Sequence, residues 1–156
     1  MVSDNKDDHR KESIIIYTDG ACAGNPGPGG YAAIIIGEDT RKEVRGFKAD
    51  TTNNRMELIA VIEGLKAISK GSKIKIFSDS NYVIKGITQW VNNWKKNGWK
   101  TSNKNDVKNK KLWIELDNLA KEYDVEFLKV KGHAGNEYNE KADALAKEQI
   151  ELHKKE

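Results

Sequence analysis

At 156 residues the chain has room for one domain with a substantial core and little room for two. With 37% hydrophobic and 33% charged residues, and no apolar run long enough to span a bilayer, the composition excludes a helical membrane protein. The net charge of +3 is unevenly placed: residues 85–111 hold eight lysines against Asp106 alone, so a basic insert rides on an acidic body.

The opening residues 1–12, MVSDNKDDHRKE, lack the apolar core of a secretory signal and read as a disordered polar tail before a single domain over 13–153. The single Cys22 excludes an internal disulfide and suits a reducing compartment, so a cytoplasmic protein is expected. Ile14 to Tyr17 is an apolar run bounded by turn residues, predicted as a strand buried on both faces that ends at Asp19. Gly20, Gly24, Gly27, Gly29 and Gly30 with Pro26 and Pro28 follow. They suit either an ordinary hairpin loop or a backbone kept clear for something bulky to approach.

Gly30 to Ile36 is a second apolar run. Arg41 to Ala49 is a polar, alternating third, with Val44 and Phe47 as inward positions and charges suited to a sheet edge. Short connections make these three strands an antiparallel meander. Leu58, Val61, Ile62, Leu65 and Ile68 then repeat at helical spacing, with Thr51, Thr52 and Asn53 as candidate caps and Gly71 as a stop. Ile74 to Phe77 is a short strand ending at Ser78 and Asp79, and strand, helix, strand implies parallel pairing. Broken helical pieces run from Ser80 to Ala120. Val125 to Val130 is the last strand, and the loop KGHAGNEYN leads into a final helix. The fold class is α/β: a five-stranded mixed sheet of three antiparallel strands and two further strands, flanked by helices.

Four acids stand at the ends or borders of these elements. Asp19 and Asp79 close two strands and emerge together if those strands are neighbours. Glu57 borders the apolar stripe of the first long helix, and Asp143 lies early in the last helix among small residues. Each has an ordinary reading, as a helix cap or as a partner to a helix dipole. Taken together, four clustered carboxylates require protons or hard cations, and Mg²⁺ with its preference for oxygen ligands is the natural occupant.

TDGACAGNPGPGGY, TTNNRMEL, SDSNYV, GITQWVNNWKKNGWK and VKGHAGNEYNEKADALA occur in this order from about Ile14 to Lys147. In these five motifs the chain resembles the type 1 ribonuclease H family, ribonuclease HI, in its bacterial form with a basic protrusion, here about 87–100. The resemblance implies the ribonuclease H-like fold and endonucleolytic cleavage of the RNA strand of RNA/DNA hybrids, leaving 5′-phosphate and 3′-hydroxyl ends. It implies two Mg²⁺, with Mn²⁺ as a substitute, on Asp19, Glu57, Asp79 and Asp143, and a mobile histidine at His133 assisting proton transfer or product release. Taken alone, a histidine in such a loop is more often an ordinary surface residue.

The same resemblance distributes the substrate contacts. Trp90, Asn109 and Trp113 match a channel for the DNA strand, beside a protrusion whose Lys95, Lys96 and Trp99 grip it. Asn25, Thr52 and Asn53 match a phosphate pocket for that strand. Asn54 and Asn81 match positions near bases and sugars in the minor groove, and the turn from Cys22 to Gly24 with Asn25 and Glu57 is placed to sense 2′-hydroxyls. Cys22 itself reads as a small packing residue. On the residues alone, the plain reading of Trp90 and Trp94 at i, i+4 spacing is that one or both pack into the core or under the protrusion. A monomer is expected. Two alternatives stay open: a binding module that has lost catalysis, and a different nuclease on the same fold.

Overall fold

The computed structural model describes residues 13–130 and 136–154, so the N-terminal segment 1–12 lies outside the described residues. Five strands form one sheet in the order β3-β2-β1-β4-β5. β1 (Ser13–Cys22), β2 (Gly27–Ile36) and β3 (Arg41–Thr51) are antiparallel neighbours. β4 (Lys73–Ser78) pairs parallel with β1, and β5 (Asp124–Lys129) parallel with β4. The mixed sheet is therefore as the run lengths and connections predict, with β1 at its centre.

One face of β1 carries Ile14 and Ile16, which pack with Ala33, Ile35, Ile74 and Ile76 against Leu58, Val61, Ile62 and Leu65 of α1 (Asn53–Lys66). Burying such side chains stabilises by roughly 1.5–3 kcal/mol each, so this layer is the main core. Thr52 caps α1, its Oγ1 accepting from Arg55 N at 3.2 Å. The helix ends at Lys66, short of the predicted stop. The chain then turns through Gly71 at φ 88° before β4.

The opposite face is covered by α5 (Glu137–Lys154), which crosses β1, β2 and β3 and buries Ala142, Ala146 and Ile150. It lies so close that a Cβ on Gly30 would stand 2.1 Å from the Ala146 carbonyl oxygen. The start of β1 is not covered in this way. Ile15 is 36% exposed, so the expectation of a strand buried on both faces holds only on the α1 side.

Between β4 and β5 the chain forms α2 (Asn81–Lys85), a π-helical turn (Gly86–Trp90), α3 (Val91–Lys96) and α4 (Lys110–Ala120). Trp94 sits at the centre of this region, with ring centroids 5.9 Å from Trp90, 6.2 Å from Trp99 and 5.4 Å from Trp113. The basic insert is thus built on an aromatic core continuous with that of the sheet. No described helix is long and apolar enough to cross a membrane.

Candidate active site

Parallel pairing of β1 with β4 sets Tyr17 beside Phe77, and their rings stack at 5.0 Å. Two residues further along each chain, Asp19 and Asp79 therefore emerge at the same end of the sheet. Asp79 does not cap α2: Ser80 does, its Oγ accepting from Val83 N at 3.2 Å. Glu57 is brought in by the close approach of α1 to Gly20, where a Cβ would stand 2.5 Å from Met56 C and 2.6 Å from Glu57 N. A side chain at position 20 would hold the helix away and Glu57 with it. The dipole reading of Glu57 fails, because α1 has no acid in its first turn. It fails for Asp143 too, since Glu137 and Glu140 occupy the first turn of α5.

Oxygen atoms of Asp19, Glu57 and Asp79 all lie within 4.8 Å of one another. At an effective dielectric of about 20, two full charges at such a separation repel by about 3–4 kcal/mol, a large share of the roughly 5–15 kcal/mol that stabilises a domain. Protons relieve the repulsion. Burial, then the Asp79 charge and the nearby Asp143 carboxyl, push Asp19 up to about 7. Burial, then the charges of Asp19 and Asp79, hold Glu57 well above the usual carboxylate range. Gly20 N donates to Asp19 Oδ1 at 2.8 Å and opposes the rise. Glu57 Oε1 is buried without a hydrogen-bond partner among the described residues. An all-oxygen donor set with one orphaned buried oxygen fits a hard divalent cation, which would replace the protons and satisfy that atom.

Asp143 stands at the rim of this group. It is close enough to Asp19 to raise its pKa, yet its side chain is 42% exposed and its Oδ2 receives Lys147 Nζ at 3.0 Å. Lys147 was not singled out by the motifs, though its i, i+4 spacing from Asp143 is a signal readable in the sequence.

The RNase H family model matches residues 11–151. Over 140 residues the chain is 56% identical to the ribonuclease H of Wolbachia pipientis wMel, spanning 90% of this chain and 97% of that one. The chain belongs to the ribonuclease H family. A ribonuclease H of Acetivibrio thermocellus is 52% identical over 145 residues, 92% of this chain and 99% of its own. Among solved structures, LC9-RNase H1, a type 1 RNase H with the type 2 active-site motif, superposes with a TM-score of 0.82 at 32% identity. That match covers 91% of this chain and 74% of that chain. LC11-RNase H1 in complex with an RNA/DNA hybrid shares the fold at a TM-score of 0.66 and 24% identity, over 90% of this chain and 98% of its own.

Around the acids of this ribonuclease H, the other expected residues fall into distinct places. Asn25, Thr52 and Asn53 come together beside the glycine turn, Asn25 Oδ1 accepting from Asn53 N at 3.1 Å. Asn54 and Asn81 are exposed at the starts of α1 and α2. The exposed Gly24 turns at φ 89°, and the neighbouring Ala23 N–H is spent on Pro28 O at 2.8 Å. Cys22 Sγ donates to the carbonyls of Gly27 and Thr51, both at 3.4 Å, and burial pushes its thiol up, which agrees with packing rather than reactivity.

Two residues expected on the DNA strand sit in surroundings that the motifs do not reveal. Trp113 is fully buried, so its ring offers no channel surface and acts only through what it holds. Lys95 is turned back onto Asp117 at 3.3 Å, whereas Lys96 has no ion-pair partner among the described residues. Trp90, Trp99 and Asn109 are half-buried and keep partial access. His133 lies outside the described residues.

Proposed function

We infer that this ribonuclease H hydrolyses the RNA strand of RNA/DNA hybrids, with two Mg²⁺ held by Asp19, Glu57, Asp79 and Asp143 and Mn²⁺ as a substitute. The observation that carries the reading is the convergence of Asp19, Glu57 and Asp79 within 4.8 Å at the end of two neighbouring parallel strands. When bound, a pair of divalent cations would activate water and neutralise charge on the phosphate and the leaving 3′-oxygen, giving 5′-phosphate and 3′-hydroxyl ends.

The protein's own residues do the rest. Asp19, buried and oriented by Gly20 N–H, is the central ligand. Glu57 offers an oxygen with no competing partner among the described residues. Asp143, at the rim and paired with Lys147, is the most easily exchanged acid. The Asn25, Thr52 and Asn53 cluster serves as the phosphate pocket for the DNA strand. The glycine turn lets the RNA backbone approach, and the exposed Asn54 and Asn81 face the groove that displays 2′-hydroxyls. His133 enters as a proton-transfer or product-release group on the strength of the GHAG motif. The lone Cys22 supports a cytoplasmic setting, and the proposal is of a monomer.

Asp19→Asn tests the reading. It is expected to bind a labelled hybrid in Ca²⁺ and to leave the RNA strand whole in Mg²⁺, while the unaltered protein cuts that strand and spares duplex DNA. Full cleavage by Asp19→Asn would sink the assignment of the acid. An intact hybrid with the unaltered protein would favour a binding module, and cutting of duplex DNA alone would favour a different nuclease.

A further inference from the structure

A chain of hydrogen bonds runs from the helix that bears Glu57 to the segment that bears Asp79, through the base of the basic insert. Arg55, two residues before Glu57, donates from Nε to Asn109 Oδ1 at 3.1 Å. Asn109 Nδ2 donates to the hydroxyl of Tyr82 at 3.1 Å, and Tyr82 lies three residues beyond Asp79. The same hydroxyl accepts from Nε1 of the buried Trp113 at 3.0 Å. Asn109 adopts φ 60° at the start of α4, where its carbonyl accepts from Trp113 N at 3.1 Å, so backbone and side chain are both pinned.

We propose that Tyr82 is a positioning residue for substrate binding: its hydroxyl fixes the Asn109 amide, and its ring braces Trp90, holding the DNA-strand surface in register with the acids. The proposal rests on the hybrid-cleaving reading above. An amide with a guanidinium at its oxygen and a phenol oxygen at its nitrogen has one orientation, since the reverse would leave donor facing donor. Tyr82 takes one of the two Nδ2 hydrogens, so the other remains for a phosphate oxygen. The Tyr82 ring meets the half-buried Trp90 edge-on at 6.0 Å and rests on the buried Trp113 at 5.3 Å, so one side chain ties the channel-facing Trp90 to the core beneath it. Ionic attraction by itself could not set this register, because lysines bind phosphates as point charges without a preferred angle.

The test is a cycle of Tyr82→Phe, Asn109→Ala and the double variant, with steady-state cleavage of a hybrid. Tyr82→Phe is expected to raise KM about fivefold, the worth of one hydrogen bond, with kcat kept. In the Asn109→Ala background the same change should move KM by no more than about twofold, because Tyr82 acts through Asn109. Leu116→Ala, a truncation of a buried core residue on α4 that destabilises at least as much, serves as the control and should leave KM unchanged. Multiplying KM effects, an unmoved KM in Tyr82→Phe, or an equal rise in Leu116→Ala would each overturn the proposal. Failure of the unaltered protein to cut hybrid would overturn the hybrid reading instead. In that case the Asn109 side-chain amide resonance still decides the role of Tyr82: it should shift in Tyr82→Phe and stay in place in Leu116→Ala.

Discussion

Asp19 illustrates at the scale of one residue what it costs to assemble a cation site before the cation arrives. Only 5% exposed and facing two other acids, it holds its proton up to about pH 7 against an ordinary value of 3.8. The folded state therefore binds this proton more tightly than the unfolded chain does. Its contribution to stability is fully present below about pH 4 and is lost as pH rises through about 7. Removing the charge removes the loss. In chelator, Asp19→Asn should be more stable than the unaltered protein at pH 8, by up to about 4 kcal/mol if the whole shift is realised. The gap should close as the pH falls toward 4. Urea unfolding at several pH values measures it, and a gap independent of pH would contradict the account. Mg²⁺ should reverse the order, stabilising the unaltered protein by mass action and the variant much less.

At the scale of elements, the site depends on how near α1 can come to β1. Gly20 sets that distance. Gly20→Ala would place its new methyl 2.5 Å from Met56 C, a backbone atom that cannot swing aside. The expected result is a loss of about 1–3 kcal/mol, as in other overpacked contacts, and a higher Mg²⁺ requirement because Glu57 moves outward. A metal titration of activity would show it, and an unchanged midpoint would mean that Glu57 is placed independently of Gly20. The ends of the strands were legible in the sequence because strand periodicity is local: the isoleucine run and the KIKIF run announce where Asp19 and Asp79 emerge. The closeness of α1 was not, since it depends on two surfaces meeting across the core. Nor was the cover on β1. The apolar run reads the same whether α5 crosses all of it or leaves Ile15 outside.

Across the whole molecule, the lysine-rich insert is legible as charge and illegible as geometry. Composition counts Lys95 and Lys96 alike, and only tertiary packing turns one onto Asp117 and leaves the other unpaired among the described residues. The Arg55, Asn109, Tyr82 and Trp113 connections join residues 27 to 54 positions apart, beyond any periodic signal. Because Trp94 and Trp99 pack against the core, deleting the insert would damage the fold, and single lysines are the cleaner probe. Lys96→Gln should reduce the slope of log affinity against log salt by up to about 0.9 while kcat stays constant, as expected for one lost phosphate contact. Lys95→Gln should leave the slope closer to its original value and instead lower stability by up to about 1 kcal/mol. Its partner Asp117, 16% exposed, would keep only Lys121 at 3.6 Å. Binding isotherms in Ca²⁺ at four or five salt concentrations separate the two. Equal slope changes would mean that Lys95 leaves Asp117 when the hybrid arrives, and that the insert recruits its paired lysines as readily as its free ones.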